Sequence, residues 1–135
     1  MTTARGTGEQ GMVGKLLVFW LIVLAVIVVA GADAGKIAWA HFHVASVASN
    51  AVSDGATTYR DTHSATKACA AAAATVSAGD ANLKIIPHGC KVDPGTGRVT
   101  ITVTKQVNTW VAGRLGFTKK YTTISDTESA TPPSL

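Results

Sequence analysis

Leu16 to Ala32 read LLVFWLIVLAVIVVAGA, a run with no charged residue, and this run limits the architecture more than any other feature of the chain. As a helix it covers roughly 25 Å, a little less than the roughly 30 Å hydrocarbon core of a bilayer. Val13, Gly14 and a snorkelling Lys15 supply the missing length at the near end, where Trp20 suits an interfacial aromatic. In 135 residues such a run leaves room for one span and one small domain. A multi-pass channel is excluded, as is an enzyme with separate cofactor and substrate domains. Arg5 and Lys15 precede the run and only Lys36 closely follows it, so the positive-inside bias predicts a cytoplasmic leader over 1–15, a span over 16–32 and an external remainder. A cleaved secretory signal is the rival reading: Ala30-Gly31-Ala32 and Ala32-Asp33-Ala34 both fit small-residue cleavage sites, and a cut after Ala34 would release a secreted binding domain.

The helical pattern continues past the run, which favours a retained span. Between Asp33 and Tyr59 there is no proline, and Ile37, Ala40, Val44, Val47 and Ala51 recur at steps of three and four. This spacing predicts an amphipathic helix over 33–60 that prolongs the span into one rod, with an apolar stripe needing a partner. Either the protein's own small domain or the helices of related subunits would cover it.

The rest reads as an α+β head over 61–124. Asp61, Thr62 and Ser64 are candidate N-caps for a second, Ala-rich helix through Ala68–Val76, with Gly79 as its stop. Leu83, Ile85 and Ile86 form a short apolar run broken by Pro87-His88-Gly89, and Asp93-Pro94-Gly95-Thr96-Gly97 is a strong turn signal. Val99, Ile101 and Val103 alternate with Thr100, Thr102 and Thr104, as in a half-buried strand of a small antiparallel sheet. Trp110, Leu115 and Phe117 are the expected aromatic plug of the core, Tyr121–Ile124 an added edge strand, and the Ser/Thr/Pro-rich 125–135 a flexible tail.

Cys69 and Cys90 are the two cysteines. In the oxidising compartment that the topology implies, an isolated pair forms a structural disulfide, closing a loop of about 20 residues. With aromatics at only 6%, so small a core would benefit from the staple. No catalytic, cofactor or metal constellation is present: His41 and His43 point in different directions on a helix, His63 and His88 lack ligand partners at useful spacing, and Asp54 and Asp61 read as solvated. There is no G-x-S-x-G, P-loop or H-E-x-x-H. The net charge of +4 comes from scattered residues, so nucleic-acid binding is disfavoured; a patch of Lys105, Arg114, Lys119 and Lys120 is the one form it would take, in a DNA-contacting component of an uptake machine.

A polar leader, one apolar helix, a helical exit through Asp33-Ala34-Gly35-Lys36, an Ala-rich amphipathic stretch and a small strand domain with a cysteine pair form a recognisable layout. It resembles the TadE/TadG-like minor pseudopilins of Flp (tight-adherence) pilus assembly, in their actinobacterial form. The resemblance implies a non-enzymatic, membrane-anchored structural subunit that contacts lipid and other pilin-like or pilus-assembly subunits. It also implies cleavage by a prepilin peptidase after a glycine with glutamate five residues on. Gly11 or Gly14 stands in the glycine's place, with Leu16 or Phe19 where that glutamate would be.

Overall fold

The computed structural model describes residues 9–111, 114–116 and 119–132. Its elements follow the order α1 (Glu9–Thr62), α2 (Ala65–Gly79), β1 (Lys84–Val92), β2 (Val99–Gln106), a short 3-10 turn (Lys119–Thr122) and β3 (Thr123–Ala130). The fold is α+β, as the sequence predicts. The predicted span and amphipathic helix are one element of 54 residues, about 80 Å long at the helical rise. No proline interrupts it, and Gly31 and Gly35 sit with open space around them, so neither bends it through packing.

The rod ends where the backbone turns left-handed. His63 has φ of 51°, and its N–H donates to Tyr59 O at 2.7 Å, closing the last turn of α1. Ser64 then caps α2 by accepting from Lys67 N, which makes it the N-cap among the three candidates. With only two residues between them, α1 and α2 form an antiparallel pair held at close range by small residues. A Cβ on Gly55 would lie 3.1 Å from Ala68 O, and one on Gly79 would lie 2.8 Å from Val47 Cγ1. Gly79 thus serves the approach of α2 to α1, while the cap itself is Asp80 in extended conformation.

The sheet is antiparallel in the order β1-β2-β3. Val99, Ile101 and Val103 of the central strand are fully buried against the helices, and the threonines between them face outward, where Thr102 and Thr127 share a hydrogen bond of 2.9 Å. The core is aliphatic: Val44, Val47, Ala48, Ala51, Val52 and Ala56 of α1, Ala68, Ala72 and Val76 of α2, and Leu83, Ile124 and the β2 valines and isoleucine.

Three expectations change here, and one open choice is decided. The stripe residues Ala40, Val44, Val47 and Ala51 are buried in the protein's own core, with Ile37 half-buried beside them, so of the two coverings it is the head that takes the stripe. Pro87-His88-Gly89 does not end the strand. The register jumps from Ile85↔Val103 to Cys90↔Ile101, and a bulge absorbs the proline that cannot donate to the ladder. His88 there has φ of 58°, and a Cβ on Gly89 would lie 2.6 Å from Ile86 Cγ1. The expected flexible tail is in large part strand: β3 pairs with β2 from Gln106↔Thr123 to Val99↔Ala130, because Ile124 and Ala130 fill the inner face while Asp126 and Glu128 stay half-exposed between them. The two described residues of the expected aromatic plug lie outside the core. Trp110 is 66% and Leu115 41% exposed, and Phe117 lies outside the described residues.

Candidate functional site

The fold leaves one half of α1 bare. Leu16 to Ile22 and Leu24 are all more than half exposed, whereas Val44, Ala48 and Ala51, on the same helix, are fully buried. One helix near the N-terminus is therefore long and apolar enough to cross a membrane, as a single-span anchor or a signal sequence does. Of the candidate processing positions, Gly11 and Gly14 lie in the first turns of α1, and a Cβ on Gly14 would touch nothing. Ala34 is exposed, also within the helix.

At the boundary between the bare and covered halves stands Asp33, which is 4% exposed. A carboxylate so placed needs donors, and the connection between β2 and the 3-10 turn supplies them. Trp110 N donates to Asp33 Oδ1 at 3.0 Å and Val111 N donates to Oδ2 at 2.9 Å. The Lys36 ammonium lies 4.4 Å from the centroid of the Trp110 ring, a cation–π contact. Val111 O also accepts from Arg114 N at 3.0 Å and from Leu115 N at 3.3 Å. The sequence offers no signal for this junction: Asp33 and Trp110 are 77 residues apart, and the donors are backbone groups.

A second polar node lies close by, at the end of α2. Asp80 accepts from the Lys105 ammonium on β2 and from Asn82 N at 2.8 Å, and His43 Nε2 of α1 stands 3.6 Å from its Oδ2. One carboxylate thereby ties three elements together. The Lys105 hydrogen bond, with the Asn82 N–H, holds the Asp80 carboxyl below its ordinary 3.8. Because the folded-state value is the lower one, the stabilisation is complete above the ordinary value and is lost as pH falls through the folded-state value. Lys105→Met should therefore destabilise the head by about 2 kcal/mol near neutral pH. In urea unfolding followed by circular dichroism, the gap from wild type should close as pH drops below about 4. A gap that stays constant down to the acid transition would show that the pair does not contribute this way.

The remaining candidates are dispersed. Cys69 and Cys90 form a disulfide with Cα atoms 5.9 Å apart, joining α2 to β1. His41 on α1, His63 in the link between the helices and His88 on β1 are all exposed, and His43 stacks on Trp39 at 5.2 Å. Asp54 accepts from Thr75 Oγ1 at 2.6 Å, an α1–α2 link, and Asp61 pairs with Arg60. Of the basic set, Lys105 is engaged by Asp80, Arg114 and Lys120 are exposed, and the Lys119 side chain lies outside the described residues. Among the described residues no group of three His, Cys, Asp or Glu side chains is placed to hold a metal ion. The outer face of the sheet carries a polar hollow of about 560 Å³ bordered by Asn82, Lys84, Thr104, Gln106, Asn108 and Thr123. Comparison of the chain with models of known protein families, with characterised proteins and with solved structures finds no match.

Proposed function

We propose that this chain is a single-span, membrane-anchored structural protein with its N-terminus in the cytoplasm and its head outside the cell, acting as a pilus-assembly subunit of the minor-pseudopilin kind. The observation that carries this reading is the division of α1. One unbroken helix is buried under a head along its second half and presents bare apolar side chains, Leu16–Ile22 and Leu24, along its first. Such a surface is stable when covered by lipid or by the apolar helices of neighbouring subunits, and costly when covered by water. A disulfide in the head suits an oxidising exterior.

Retention of the helix also suits the junction. A cut after Ala34 would remove the Asp33 carboxylate and leave the Trp110 and Val111 N–H groups without the acceptor they have in the intact chain. In this reading the subunit contacts are made by the bare half of α1, since the Ile37–Ala51 stripe is occupied within the head.

The N-terminal sequence and intact mass of the mature protein, from washed membranes and from culture medium, test the proposal. The expected result is a chain that resists alkaline extraction from membranes and keeps Leu16 onward, starting at Met1, at Met12 or at Lys15. A start at Met12 or Lys15 in a sheared surface fraction would add prepilin-type processing. A chain in the medium starting at Gly35 would overturn the anchor. A photo-cross-linking residue in place of Leu17 or Leu24 should trap related subunits; cross-links to lipid alone would overturn the assembly role and leave the anchor.

A further inference from the structure

The anchor on α1 accounts for the bare helix but not for a second exposed apolar surface, on the connection between β2 and the 3-10 turn. We propose that Trp110, Val111 and Leu115 form a second membrane contact, a turn that dips into the outer leaflet beside α1 with Arg114 at the level of the lipid phosphates. This inference rests on the membrane-anchor reading above.

Three observations place the turn there. First, it is fixed at the height of the membrane boundary. Asp33, directly after the uncharged run, holds the backbone of Trp110 and Val111 through two hydrogen bonds. A bilayer that covers Leu16–Ala32 ends at that residue. Second, an apolar groove runs from Val111 along the bare helix. Its volume is about 440 Å³, and its other walls, among the described residues, are Ile22, Ala25, Val26, Val29 and Ala30 of α1. Ile22 lies eleven residues before Asp33, roughly 16 Å along the helix, which is about the depth of one leaflet. The groove is lined almost entirely by carbon and is continuous with the bare helix, so lipid that surrounds α1 also meets the groove, and an acyl chain fills it at less cost than water does.

Third, the chemistry of the turn is graded as an interface is graded. Val111 and Leu115 are apolar and partly exposed, and Trp110, 66% exposed, is the amphipathic ring enriched at the acyl–headgroup boundary. Lys36 places positive charge over that ring, and the exposed Arg114 follows three residues after Val111. Anionic lipid phosphates complement those charges, and a long arginine keeps its stem in the apolar zone while its guanidinium reaches them. The apolar helix of a second copy would instead set Arg114 against a surface without an acceptor, which argues for lipid as the occupant.

The test uses the full chain reconstituted in phosphatidylcholine–phosphatidylglycerol vesicles. Trp20 and Trp39 are exposed, so Trp20→Phe with Trp39→Phe leaves Trp110 as the single reporter without disturbing the core. A matched chain carrying Trp39→Phe and Trp110→Phe reports from Trp20, within the span. Lipid brominated high on its acyl chains should quench Trp110 at least about twofold, and lipid brominated near the chain ends should quench it much less, as befits an interfacial ring. Quenching of Trp20 with no effect on Trp110 would overturn the second contact and leave the anchor standing. Quenching of neither would overturn both.

Discussion

Replacing Val44 with aspartate should unfold the head. Val44 is completely buried between α1 and the rest of the core, in one cluster with Val47, Ala48, Val76, Ile101 and Val103. Losing its burial costs about 2 kcal/mol, and placing a carboxylate there without a donor adds several kcal/mol, or forces the group to stay protonated at a similar cost. Small domains carry about 5–15 kcal/mol in total, and this head, built from alanine and valine with few large side chains, has little reason to lie at the upper end. The expected result is loss of the near-ultraviolet circular dichroism signal of the full chain in detergent at ambient temperature. Val18→Asp, on the bare half and 56% exposed, should leave that signal intact. A folded head in the Val44→Asp chain would mean that the stripe is not core, and that it is free to meet other subunits after all.

That contrast also shows which parts of the fold can be read from the residues. The apolar run, the stripe and the alternation of Val99, Ile101 and Val103 are local patterns set by helix and strand periodicity, and each appears as an element in its expected place. What periodicity leaves undecided is the partner. Ala40, Val44, Val47 and Ala51 would look the same under their own head or under a neighbour's helix, and the choice is made by α2 folding back through a two-residue link. β3 escapes the pattern because Asp126 and Glu128 occupy positions on its inner face, where an alternating strand would carry apolar residues. Such inward charges are a known way to keep an edge strand from pairing with other chains. Large apolar residues such as Trp110 and Leu115 usually lie inside; their exposure is the departure that points to a second environment. The Asp33 junction was illegible for a simpler reason, since its donors are main-chain groups of a distant turn.

Removing both cysteines, by Cys69→Ala with Cys90→Ala, should destabilise the head by about 3 kcal/mol, the loop-entropy expectation for a loop of this size. The sequence separation is 21, but the position of the bridge matters as much as its length. β1 is an edge strand whose ladder to β2 breaks between Ile85 and Cys90, so its second half relies on Cys90↔Ile101, Lys91↔Thr100 and Val92↔Val99. The bridge to α2 enters at the first of these pairs, where the strand resumes after the bulge. It thereby holds the register of the resumed ladder as well as shortening the unfolded chain. For a head of this size, 3 kcal/mol corresponds to a fall in Tm of roughly 12–24 °C. Thermal unfolding of the full chain should show that fall in the double variant, and a similar one in wild type under dithiothreitol, with the variant itself insensitive to the reductant. An unchanged Tm would mean that apolar packing alone holds α2 to β1. The bulge would then need no support from the bridge, and the cysteine pair would have to be explained by something other than stability.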